Sequence, residues 1–181
     1  MSVATIVSQS TPSGFSAIGV IRLSGNMATK IAAKLSNKKS VLKHKKATVR
    51  PVFIKKRLVD EAVFTAFLSP KSYTGEDVVE ISCHGNIHVC EAIITEIVRL
   101  GARIAEPGEY TKRAFLNGKL NLLQAESVSL LINARSIEAV KQQTKNLSGG
   151  ITKKIMQIKE TLLTILSCLL YTSDAADDSL R

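Results

Sequence analysis

Several charged residues of this chain stand in strands or stretches that are otherwise largely apolar, where they could serve chemistry: Arg22, Glu80, and the group Glu109, Arg113, Lys119 and Glu126. Arg22 stands near the end of Ala17–Leu23, a run apolar on both faces that reads as a central strand. A guanidinium there needs an anionic partner or an opening to solvent, and one of the chain's own carboxylates could be that partner. Glu80 lies in Val78–His84, where Val79, Ile81 and Cys83 share one face and Val78, Glu80, Ser82 and His84 the other. On that polar side a carboxylate can receive donors from a ligand, or stay solvated or salt-bridged. Lys119 follows the turn Asn117-Gly118 inside Glu106–Glu126, EPGEYTKRAFLNGKLNLLQAE, where Arg113, Glu109 and Glu126 also sit among apolar residues.

Two other chemistries are weaker on the same grounds. Cys83, His84, His88 and Cys90 are metal-ligating types close in sequence. Strand neighbours point to opposite faces, however, and helical positions two apart diverge, which argues against the convergence a closed metal site needs. Cys83 is expected in the core. The second chemistry is phosphate binding. Residues 1–59 hold twelve Lys and Arg and no acid, and ten of those cations fall between Lys34 and Arg57. The rest of the chain holds thirteen cations and all fifteen acids. The basic run reads either as a nucleic-acid surface or as a solvated lysine-rich hairpin, with no RNA-binding motif and only Phe53 as an aromatic.

The elements that must position these residues are a mixture of strands and helices up to Lys119 and are helical beyond it. Strands are expected over Ala4–Gln9, Ala17–Leu23, Ala47–Ile54, Glu61–Leu68, Val78–His84 and Ala102–Ala105, with Lys55–Asp60 joining the third and fourth. Ser24 is a candidate N-cap for a helix from about Asn26 to Leu35. Asn86 can cap a second helix with the stripe Ile87, Cys90, Ile94 and Ile97, closed by Gly101. Leu120, Leu123, Leu130, Leu131 and Ala134 mark a further helix. Ser136 opens another whose seam runs from Val140 through Ile151 and Ile158 to Ile165 and wants a partner helix.

Composition bounds the setting. The chain has 181 residues, 45% hydrophobic and 22% charged, as in ordinary soluble proteins with a real core. No apolar run approaches the roughly 20 residues of a membrane span. The N-terminus lacks a secretory pattern, and three cysteines without framework spacing point to a reducing compartment, by default the cytoplasm. The tail from Cys168 changes register and resembles a translated sequencing adaptor. Residues 168–181 are therefore set apart as non-native, and the chain is expected to be cut short of its natural end.

Three stretches carry a specific likeness: ATIVSQSTPSGFSAIGVIRLSG at Ala4–Gly25, SYTGEDVVEISCHGN at Ser72–Asn86, and PGEYTKRAFLNGKLNLLQAES at Pro107–Ser127. In order and spacing they resemble the N-terminal part of the MnmE (TrmE) family of bacterial tRNA-modification GTPases. The resemblance implies an α+β fold. Residues 1–118 would form a mixed α/β folate-binding and dimerisation domain of the aminomethyltransferase-like kind, and residues 119–167 the first helices of an all-α domain. It implies a tetrahydrofolate cofactor, in the 5-formyl or 5,10-methylene form, and a homodimer. It further implies a MnmG (GidA)-type flavoprotein partner and tRNA as substrate, modified at the wobble uridine. The family's folate contacts carry over to Arg22 in VIRLSG, Glu80 in DVVE and Lys119 in LNGKL. A pterin edge presents N–H donors that suit Glu80, and an anionic glutamyl tail suits Arg22 and Lys119.

The departures are local. The family's usual HGG reads His84-Gly85-Asn86, Asn121 replaces the common Asp after Lys-Leu, and Leu130 and Asn133 replace Asp in the following helix. The resemblance implies GTP, Mg²⁺ and K⁺ sites only in a further domain, which is expected to be missing from this sequence. Its one Gly-Lys pair, Gly118-Lys119, precedes Leu120 and has Arg113 where a phosphate loop needs glycine. Two other readings stay open: a basic RNA-binding module without folate, and a free-standing aminomethyltransferase-like folate protein, against which the QAES helix start after Lys119 speaks.

Overall fold

β-Branched segments of alternating burial build one sheet, and its register decides which charged residues meet. The computed structural model describes residues 4–38 and 40–178; residue 39 of the lysine-rich run and residues 179–181 of the tail lie outside the described residues. In chain order the elements are β1 (Ile6–Gln9), β2 (Ser16–Ser24), α1 (Ala28–Leu35), β3 (Ala47–Ile54), β4 (Arg57–Phe67), β5 (Val78–Gly85), α2 (Ile87–Arg99), β6 (Arg103–Ile104), α3 (Glu109–Leu116), α4 (Leu122–Ile132), α5 (Ile137–Leu147) and α6 (Gly150–Asp178). The strands form a six-stranded sheet in the order β3-β4-β5-β2-β1-β6, antiparallel except where β6 joins β1.

The core lies on one face of this sheet. Ile21 and Leu23 of β2, Val79, Ile81 and Cys83 of β5, and Phe64 of β4 pack with Ile31 and Leu35 of α1 and with Cys90, Ile93 and Ile97 of α2. The intervening strand residues turn to the opposite face, where Arg22, Glu80 and Ser82 are half-buried. Asn86 caps α2 as expected, accepting from the His88 amide at 2.9 Å, and Gly101 closes it with φ 109°. The buried stripe of α2 is centred on Cys90, Ile93 and Ile97, with Ile94 at its edge.

Three local expectations are corrected. Ser24 does not cap α1: it is the last residue of β2, fully buried, and its hydroxyl is engaged by Thr74 and Glu76, while Met27 opens the helix without a side-chain cap. The link between β3 and β4 is not Lys55–Asp60 but a two-residue turn, Lys55-Lys56, both left-handed at φ 48° and 66°. Turns of that kind favour Asn-Gly, so two lysines concealed it. The long helix expected from Ser136 is two helices. Gly149 at φ 84° separates α5 from α6, because the left-handed turn that a glycine permits ends α5 in its own C-terminal cap.

The residues up to Leu120 form one compact unit and those from Asn121 a second. In the second, Asn121 caps α4 through a reciprocal pair of hydrogen bonds with Gln124, 3.0 and 2.9 Å. The apolar seam on α6, including Ile155, Ile158, Leu162 and Ile165, is exposed. Among the described residues no helix is long and apolar enough to cross a membrane.

Candidate functional site

Antiparallel pairing of β2 with β5 sets Arg22 directly opposite Glu80. Arg22 Nε donates to Glu80 Oε1 at 2.9 Å and Nη2 lies 2.7 Å from the same oxygen. The guanidinium also sits between two tyrosines, 5.9 Å from the Tyr73 ring centroid and 5.6 Å from that of Tyr110. Of the two partners the sequence left open for Arg22, the structure shows one of the chain's own carboxylates. Both side chains of the pair are 29% exposed. A pair so open to water is worth about 1 kcal/mol or less, and each ring adds a similar amount. The arrangement is thus cheap to open. Both bonds end on Oε1, so Glu80 Oε2 and Arg22 Nη1 have no hydrogen-bond partner among the described residues.

Tyr110 comes from α3 and Tyr73 from the loop between β4 and β5. The Tyr110 hydroxyl donates to the Arg22 carbonyl at 2.6 Å, and burial pushes its phenol up, which keeps it a donor. The Tyr73 hydroxyl meets Thr111 of α3 at 2.9 Å. Neither tyrosine was singled out in the sequence. The only signal was their position in the two stretches that also hold Glu80 and Lys119.

Lys119 stands apart from the Arg22–Glu80 pair. It is exposed, donates from Nζ to the Pro70 carbonyl at 3.0 Å, and lines a cavity of about 520 Å³ with Asn26, Pro70, Gly75, Asp77 and Asn117. That volume is in the range of small-ligand sites. The β4–β5 loop links the two places, laying Tyr73 on Arg22 and giving Pro70 and Gly75 to the cavity of Lys119. Gly75 adopts φ 78°, and a Cβ there would come within 3.3 Å of the Lys119 stem.

What holds this loop is the pair of residues whose charge the sequence could not explain. Arg113 of α3 is buried. Its Nη1 donates to both oxygens of Glu76 at 3.0 and 3.1 Å, its Nη2 to the Ala4 carbonyl at 2.7 Å, and its Nε and Nη2 to Glu109. Glu109 is also gripped by Arg103 and accepts from the Glu106 amide. The Arg103 guanidinium, first among these donors, holds the Glu109 carboxyl down at about 2. Glu76 receives the Ser24 hydroxyl at 2.7 Å, and Asn117 donates to the Thr74 carbonyl at 2.7 Å. Two arginines meet two carboxylates here. The cluster is neutral and saturated, so its work is to fix the loop.

The cysteine and histidine group resolves differently. Cys83 and Cys90 face each other in the core at 3.8 Å, and burial together with the neighbouring thiol pushes Cys83 up to about 12. His84 points to solvent and pairs through Nδ1 with Asp60 at 2.6 Å.

The family described as GTP-binding protein TrmE N-terminus matches residues 5–119, which include the strands, the loop and all three candidate residues. The chain belongs to the TrmE N-terminal family. Its relatives include proteins named tRNA modification GTPase MnmE. That of Aliarcobacter butzleri is 42% identical over 97% of this chain and 40% of its own length. That of Fervidobacterium nodosum is 42% identical over 96% of this chain and 39% of its own length, and that of Francisella tularensis 46% identical over 88% and 35%. This TrmE-type chain therefore spans about two fifths of the length of those relatives.

Proposed function

We propose that the unit ending at Leu120 is the folate-binding module of a tRNA-modification GTPase, of the aminomethyltransferase-like kind. In this reading it pairs with a second copy and works with a MnmG (GidA)-type flavoprotein on tRNA in the cytoplasm. Family membership supports the setting, and the half-open Arg22–Glu80 pair between two tyrosines is the observation that carries the ligand assignment. A pterin is flat, aromatic and edged with N–H donors. Glu80 Oε2 offers an acceptor for such an edge, Arg22 Nη1 a donor, and the tyrosines flat apolar surface. Lys119 commits one of its three donors to Pro70 and keeps two for an anionic tail. The residues present fit the group. Bound tetrahydrofolate would supply the one-carbon unit; the chain's own part is to bind, orient and shield it.

The test is calorimetry with 5-formyltetrahydrofolate on the whole chain. Saturable binding is expected, weakened roughly tenfold or more by Glu80→Gln or Arg22→Met, in line with losing a charge-assisted hydrogen bond. A folded protein that takes up no folate, or a Glu80→Gln variant that binds as tightly as the parent, overturns the assignment.

A further inference from the structure

The cations of the lysine-rich run divide into two kinds. Arg50 is buried, and its Nη2 donates to the carbonyl and hydroxyl of Ser40 at 2.9 and 3.1 Å, so its role is internal. Lys34, Lys55 and Lys56 are exposed and line a cavity of about 660 Å³ with Arg99, Glu96 and Phe53. The cavity lies where the β3–β4 turn meets the C-terminal ends of α1 and α2.

Two observations distinguish this place from a solvated lysine face. The first is its charge balance. Glu96, the one carboxylate of the lining, is buried and already forked by Arg99 at 2.9 and 2.6 Å, which holds its carboxyl below the usual range. Lys34, Lys55 and Lys56 have no ion-pair partner among the described residues. The negative ends of the α1 and α2 dipoles attract Lys34 and Arg99, and Lys55 also feels the charge of Glu96 from beyond ion-pair distance, but neither accounts for Lys56. The second observation is backbone conformation. Of the four left-handed residues other than glycine among the described residues, Asn37, Lys55 and Lys56 line the cavity, at φ 47°, 48° and 66°; the fourth, Lys45 at φ 56°, does not. Side chains other than glycine and asparagine avoid that region, and such outliers gather where function holds them. Here two lysines take both central positions of a turn that would be easier with Asn-Gly, and present two ammonium groups at one opening.

We propose that this cavity and the hairpin tip form a phosphate-binding surface for folded RNA, with Lys34, Lys55 and Lys56 on successive backbone phosphates. The exposed neighbours Lys38 and Arg57 carry positive charge past the cavity's edge, which suits a continuous polyanion better than a small phosphate compound. The choice of RNA rests on the tRNA-modification reading above; the attraction for phosphate stands on the geometry alone.

The experiment is fluorescence anisotropy of a labelled, unmodified tRNA transcript with the whole chain, repeated across salt. Each phosphate contact contributes about 0.7–0.9 to the slope of log affinity against log salt. Lys55→Gln/Lys56→Gln should flatten that slope by roughly 1.5 and weaken binding roughly tenfold or more at low salt. Lys34→Gln, in a helix and so harmless to the turn, should flatten it by about half as much. Lys43→Gln/Lys46→Gln removes the same charge at the other end of the hairpin and should leave the slope near that of the parent. Equal losses in the two double variants, or no tRNA binding by the parent, overturn the proposal. Folate titration of Lys55→Gln/Lys56→Gln separates the two readings: a parent that binds folate but not RNA defeats only this surface. RNA binding lost at these lysines in a protein that takes up no folate defeats only the folate assignment.

Discussion

Glu109 is the most informative place to perturb, because its charge holds together the cluster that fixes the β4–β5 loop. Arg103, the Glu106 amide and Arg113 hold its carboxyl at about 2, against an ordinary 4.5. At 1.36 kcal/mol for each tenfold in acidity, that difference is worth about 3 kcal/mol of folding stability. Its sign follows from the depressed value: the stabilisation is complete above about pH 4.5 and is lost as pH falls toward 2. Glu109→Gln keeps the shape and removes the charge. Urea unfolding followed by tyrosine fluorescence should show the variant about 3 kcal/mol less stable than the parent at pH 7. The gap should narrow through pH 4 and 3 and nearly close at pH 2. A gap that stays constant with pH would refute the reasoning, since it would mean that the loss comes from packing and not from the carboxylate's charge.

Other outcomes can be checked alongside. Arg113→Met strands Glu76 without a cation in a mostly buried place and should cost about 3–5 kcal/mol by the same urea titration, more than Arg22→Met, whose half-open pair and two ring contacts are together worth about 2 kcal/mol. Gly75→Ala must hold φ 78° and press on the Lys119 stem, so a loss of about 1–2 kcal/mol and weaker folate uptake are expected, read by thermal melting and calorimetry. Phe64→Ala, at the fully buried centre of the core, should cost about 3–5 kcal/mol. Under native conditions at pH 8, iodoacetamide should modify Cys168, which is exposed, and spare Cys83, whose thiol is pushed up to about 12; mass spectrometry of the labelled protein decides this.

Periodicity and caps made much of this protein legible before its fold was known. The strand Ala47–Ile54, the inward face Val79-Ile81-Cys83, the Asn86 cap and the Gly101 stop depend on residues within a few positions of one another, and the structure bears them out. The corrections are also local, but they concern backbone states that the residue types disguise. Lys55-Lys56 turns where glycine or asparagine is usual, and Gly149 interrupts a seam that otherwise keeps its spacing. The family resemblance came from three motifs, and the comparison with known proteins bears out membership for residues 5–119.

What sequence alone determined was the unease of certain charges: Arg22 in an apolar strand, and Arg113 and Glu109 among the apolar residues of the stretch before Lys119. Only tertiary structure decided how each was relieved. Strand register is a non-local quantity, and it alone set Arg22 against Glu80, 58 positions away in the chain. The return of α3 against the loop turned Arg113 into the fastening that joins Ala4, Glu76 and Glu109. A buried charge announces that it must have a partner, because desolvation is so costly; which partner it takes depends on how the whole chain folds back.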